Sequence, residues 1–110
     1  MKQGNPNVAG PLSLLDAEAL AITAKKQRGK KQAVQDAVAA YIEAVRTNGR
    51  QGLINLQALS NERMAIFQLE HGEKADAEYG FEEASRLYAE WGATAKEFQL
   101  LERLRKIRTT

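Results

Sequence analysis

The sequence predicts an all-α protein of about five antiparallel helices, arranged as two helix-turn-helix units and one closing helix. Three observations carry this. Both prolines, Pro6 and Pro11, fall in the first eleven residues, so the strongest interior helix breaker is absent from the rest. Apolar residues recur at intervals of three and four, the spacing of one helical face. Glycines then punctuate the pattern, at Gly29, Gly49, Gly52, Gly72, Gly80 and Gly92. Residues 1–10 read as an N-terminal turn or linker, and 11–110 as a single helical domain.

The first helix is expected from about Leu12 to Arg28, with Leu15, Ala19 and Ile22 along one side. Lys25, Lys26 and Arg28 fall in its last turn, where cations meet the favourable end of the helix dipole. The second, about Gln32 to Thr47, carries Val34, Ala37, Val38, Tyr41, Ile42 and Val45, and Asn48-Gly49 supplies a stop. The third, about Gln51 to Glu70, holds Leu53, Leu56, Leu59, Met64, Ile66, Phe67 and Leu69 before Gly72. In the fourth, about Glu73 to Trp91, the residues Ala77, Phe81, Ala84, Tyr88 and Trp91 form a seam. Glu73 and Asp76 sit in its first turn, the end that favours carboxylates. The fifth starts near Ala93 and carries Phe98, Leu101, Leu104 and Ile107, with Thr94 and Glu97 as a capping box.

Composition narrows the function classes. A chain of 110 residues suits one core, able to bury roughly 65% of the surface its unfolded form exposes. At 44% hydrophobic and 27% charged residues it is ordinary globular material, not a disordered tail. A net charge of +2 implies neither nucleic acid nor a membrane surface without a local cluster. There is no cysteine, which excludes disulfides, thiol chemistry and thiolate-bound zinc. The first seven residues lack the apolar run of a signal peptide, and no stretch is long and apolar enough to cross a membrane, so a cytoplasmic location is expected.

Self-similarity is the most informative feature. Glu18-Ala19-Leu20-Ala21-Ile22 returns as Glu62-Arg63-Met64-Ala65-Ile66, 44 residues on. Ala37, Tyr41 and Ala44 return as Ala77, Phe81 and Ala84, 40 residues on. The difference is absorbed by the longer, lysine-rich turn around Gly29-Lys30-Lys31. Small residues let two helix backbones approach, and a ring one turn later fills the space beside them. A single hairpin cannot cover its own apolar face, so such units stack.

Ala77, Phe81 and Ala84, with Gly72 in the turn and Met64-Ala65 upstream, resemble the tetratricopeptide repeat. Two positions depart from it: Gln68 stands where that repeat has an aromatic, and no proline closes the unit near Ala89. A second resemblance spans nearly the whole chain. It runs through Asn5-Pro6-Asn7, Leu15-Asp16-Ala17-Glu18, Ala37 to Tyr41 and Ala58-Leu59-Ser60-Asn61-Glu62-Arg63, and ends in Leu87-Tyr88-Ala89-Glu90-Trp91-Gly92-Ala93-Thr94-Ala95-Lys96. This succession is similar to the end of the tetratricopeptide-like region of multi-domain signalling proteins that join a kinase-like domain and an AAA-type ATPase to sensor and histidine-kinase modules. The resemblance implies a right-handed repeat and a regulatory or scaffold segment in signal transduction. The chain itself has no phosphate-binding loop and no kinase motif, and its bounds suit a fragment of a larger protein. The same resemblance implies a groove lined by Lys26, Glu62, Ile66 and Leu69 that takes a peptide or partner helix.

The remaining candidates reduce to structural roles. His71, the lone histidine, ends a helix and has no clustered ligands, so neither a metal nor a phosphoacceptor role is expected. Glu18 and Glu62 occupy matching places in the repeat, which explains them as surface or interhelical contacts and not as catalytic acids. Lys25, Lys26, Arg28, Lys30 and Lys31 form one basic cluster, and Arg103, Arg105, Lys106 and Arg108 another. A nucleic-acid-binding module is the alternative they offer, although no aromatic residues interleave to stack bases. Tyr88 and Trp91 are expected in the core from their seam spacing. No enzyme activity and no cofactor are expected. The expected partner is a protein or peptide, with self-association or docking onto further repeats favoured by uncapped ends.

Overall fold

The computed structural model describes residues 8–109. Five helices follow one another: α1 (Ala9–Lys26), α2 (Lys31–Arg50), α3 (Ile54–Glu70), α4 (Lys74–Trp91) and α5 (Thr94–Arg108). The described residues contain no strand. Each helix packs on its neighbours in the chain, and beyond that α1 makes a small contact with α3. The result is a slab of 53 × 37 × 15 Å, the shape of hairpins laid side by side. Among the described residues no helix is long and apolar enough to cross a membrane.

The two repeated rings anchor the two hairpins. Tyr41 is 1% exposed and Phe81 is 0%, and the alanines flanking them, Ala37, Ala44, Ala77 and Ala84, are all fully buried. The core divides into two clusters, one around Tyr41 between α1, α2 and α3, the other around Phe81 between α3, α4 and α5. Helix α3 serves both. Met64 and Phe67 enter the first cluster, whereas Ala58 and Ala65 enter the second. At the α3–α4 crossing the backbones come close: a Cβ on Gly80 would lie 3.0 Å from that of Ala65.

Several element boundaries differ from expectation, each for a local reason. Helix α1 begins at Ala9, with Pro11 in its first turn, where a missing N–H costs no intrahelical bond. Asn5-Pro6-Asn7 lies outside the described residues. Helix α2 does not stop at Asn48-Gly49. Asn48 is fully buried, its side-chain amide donating to the carbonyls of Ala44 (2.9 Å) and Gly10 (3.2 Å), and Gly52 makes the left-handed turn instead. The Thr94–Glu97 capping box does not form: Ala93 is the N-cap and no side chain caps it.

Three apolar faces were misplaced by periodicity. In α1 the buried line is Leu14, Ala17 and Ala24, while Leu15 and Ile22 are exposed. The small residues win because they allow close approach to the alanines of α2. In α5 the buried line is Leu100, Leu104 and Ile107, and Phe98 and Leu101 face outward. Trp91 does not extend the core seam of α4, being 56% exposed. The seam ends on Leu87 and Tyr88, and the left-handed Gly92 (φ 95°) turns the chain away before Trp91 can be covered.

Candidate binding groove

Because successive helices alternate in direction, α1, α3 and α5 run the same way, and their flanks form the walls of two shallow depressions. The first, of about 280 Å³, lies between α1 and α3. Its apolar wall is Ala21 and Ile22 of α1 facing Ile66 and Phe67 of α3, and its charges are Glu18, Lys25, Arg63 and Glu70. The second, wider at about 840 Å³, lies along α5 from Lys96 and Phe98 to Arg103, Lys106 and Ile107, and meets α3 at Glu62.

The polar floor of each depression is the same device built twice. In the first, Glu18 of α1 accepts a hydrogen bond from the Tyr41 hydroxyl of α2 and another, at 2.8 Å, from the Arg63 Nε of α3. In the second, Glu62 of α3 accepts from the Tyr88 hydroxyl of α4 at 2.8 Å and from Lys96 Nζ of α5 at 2.9 Å. Each carboxylate therefore ties its own hairpin to the first helix of the next unit. Burial and the neighbouring carboxylate raise both phenols above the usual tyrosine range, desolvation being the larger cause. Lys96 also lies 5.3 Å above the Tyr88 ring, a cation–π contact that holds its ammonium over the floor.

The repeat is not exact in its chemistry. Phe81, which matches Tyr41 in packing, has no hydroxyl, and the second device takes its phenol from Tyr88 instead. The place of Tyr88 in the first hairpin, 40 residues earlier, belongs to Asn48, which is spent on pinning the start of α1.

Of the residues expected in the groove, Ile66 and Glu62 line the two depressions. Lys26 does not: the neighbouring Lys25 takes that place, while Lys26 projects one helical step away, exposed. Leu69 packs half-buried against the second core cluster and lines neither depression. Arg63, Lys96 and the role of Tyr88 were missed. The repeated glutamates give no local signal for them, because cations occur on every helix and the pairing depends on how the units stack.

His71 closes one end of the first depression. Its Nδ1 donates to the Phe67 carbonyl at 2.9 Å and its ring lies 4.3 Å from that of Phe67. No group of three His, Asp or Glu among the described residues is placed to hold a metal ion.

The two basic clusters have different fates. Arg105 pairs with Glu102, Arg108 bridges Glu78 and Glu82, and Arg103 sits 5.2 Å over the Phe81 ring. Lys25, Lys26, Arg28, Lys30 and Lys31 surround the α1–α2 turn, exposed and in no ion pair among the described residues. Comparison with protein-family models, with curated proteins and with solved structures gives no match to this chain.

Proposed function

We propose that the chain is a non-catalytic, tetratricopeptide-type interaction module, with a right-handed stack whose α1–α3 groove takes a segment of a partner protein. The observation that supports this most is the pairing of an apolar wall with a fixed polar floor. Ile22 and Ile66 offer apolar contact above the buried Phe67, and the Glu18–Tyr41–Arg63 device holds its charges in place before any partner arrives. A floor whose groups are already hydrogen-bonded orients a ligand without costing the ordering of long side chains. The open charges beside it, Lys25 and Glu70, suit a segment carrying both signs and act mainly on register and approach rate. A regulatory place in signal transduction rests on the Tyr88–Lys96 string and its resemblance, and is part of the same proposal.

Panning a random peptide display library on the purified chain tests the groove. Selected peptides are expected to lose at least tenfold in affinity against Ile66→Asp and Arg63→Glu, and to bind Ile42→Asp, on the opposite face of the slab, unchanged. Peptides indifferent to both groove variants count against it.

The unpaired cations at the α1–α2 turn favour nucleic acid as the second possibility. That reading requires affinity for duplex or single strands at low salt that falls steeply as salt rises. An absence of binding at low salt removes it.

A further inference from the structure

Gln68 is a buried polar side chain that neither the core nor the groove explains. It is 6% exposed, and its Oε1 is buried with no hydrogen-bond partner. An acceptor left so burdens the fold with its full desolvation. Asn48 Oδ1 is in the same position, but the Asn48 amide nitrogen already holds Ala44 and Gly10. At the place matching Gln68 in the first repeat, 44 residues earlier, the chain has Ala24, fully buried and apolar. Gln68 also stands where the tetratricopeptide pattern has an aromatic. A polar group kept where the same chain elsewhere uses an apolar one points to a ligand.

Gln68 floors a hollow of about 250 Å³ between α2 and α4, on the face of the slab opposite the groove. One wall is aliphatic: Val34, Val38 and Ile42, every fourth residue of α2. The other is acidic, with Glu73 and Asp76 at the start of α4. No lysine or arginine lines the hollow, and neither acid forms an ion pair among the described residues. Lys31 lies across Glu73 in the adjoining hollow and pairs with neither.

An aliphatic wall, two free carboxylates and an unused amide oxygen call for a ligand with an apolar stem and a cationic, donor-rich head. A guanidinium on an alkyl chain has this form. Its planar fork carries five N–H donors and no acceptor, and it is more weakly hydrated than an ammonium, so it loses less on entering a partly apolar hollow. The stem runs along the α2 wall while the head stays with the acids. The terminal torsion of glutamine is soft, which lets Oε1 turn from the interior to a donor that enters.

We propose that the hollow between α2 and α4 binds an alkylguanidinium group, with Glu73 and Asp76 balancing its charge and Gln68 accepting one of its N–H bonds. An arginine side chain of a partner protein and a free small guanidine share this chemistry. The site lies on the face away from the α1–α3 groove and does not rest on that reading.

Amide-resolved nuclear magnetic resonance of the full chain tests this with three probes: propylguanidinium, a capped glycyl-arginyl-glycine peptide, and propylurea as the neutral analogue. Both guanidinium probes are expected to shift the Gln68 side-chain amide and the backbone amides of Val34, Val38 and Asp76, and propylurea to leave them in place. Asp76→Asn, an exposed substitution, and Gln68→Leu are each expected to weaken the guanidinium probes about tenfold, the weight of one hydrogen bond to a charged group. Circular dichroism verifies that both variants fold. Ile66→Asp, in the groove, is expected to bind the probes as the unsubstituted chain does. Tighter binding of the peptide identifies a protein as the source of the group, and tighter binding of propylguanidinium a small molecule. The proposal is overturned if neither guanidinium probe shifts these residues, if propylurea shifts them equally, or if Asp76→Asn and Gln68→Leu both bind as the unsubstituted chain does.

Discussion

At the scale of single residues, the most consequential groups are the two carboxylates, Glu18 and Glu62, and the phenols and cations that converge on them. Their equivalence was legible as a repeated Glu-x-apolar-Ala-Ile pattern. Their partners were not, because a hydrogen bond across three helices depends on how the units stack, which local spacing does not encode. Tyr41→Phe deletes one hydroxyl at a site where Phe81 shows that a bare ring packs equally well. The loss is expected to be about 1–2 kcal/mol in denaturant unfolding, the low end for a bond to a charged acceptor, since Glu18 is partly solvated. The folded state holds the Tyr41 and Tyr88 protons more tightly than the unfolded chain, whose tyrosines titrate near 10. Their contribution is therefore intact below about pH 10 and is lost as pH rises beyond it. Unfolding curves taken across that range should show stability falling with pH, and falling less steeply in Tyr41→Phe. Equal slopes would mean that Tyr41 does not contribute.

At the scale of elements, the number, order and type of the helices were legible, because their spacing and glycine punctuation are local properties. The faces were harder. Helix α1 carries two adjacent apolar lines, and the chain buries the one richer in alanine, leaving the bulkier Leu12, Leu15 and Ile22 outside. Helix α3 is buried on two sides, so no single stripe describes it. Trp91 continues the α4 seam in sequence but lies past the last turn that α5 can cover. The contrast is measurable. Phe81→Ala, at a fully buried ring, is expected to cost about 3–5 kcal/mol, and Trp91→Ala to change stability by no more than about 0.5 kcal/mol. Comparable losses from both would put Trp91 back in the core.

At the scale of the whole molecule, neighbour-only packing makes a thin slab, and a thin slab has faces, edges and ends of different composition. One face carries the grooves and one edge the unpaired cations of the α1–α2 turn, and the exposed apolar residues of α1 and α5 run from the grooves, at Ile22 and Phe98, onto the two ends. Half of the expected groove set, Ile66 and Glu62, lies where the grooves are; the other half misses by one residue in Lys26 and by one face in Leu69. A helix rotates by about 100° per residue, so an error of one position moves a side chain to another surface.

Binding of a partner between α1 and α3 is the proposal on which the reading as an interaction module rests. Amide-resolved nuclear magnetic resonance of the labelled chain, titrated with a selected peptide, addresses it most directly. The largest shifts should fall on Ala21, Ile22, Arg63, Ile66 and Phe67. Shifts confined to the far side of the slab, around Val38, Ile42 and Asp76, would contradict it.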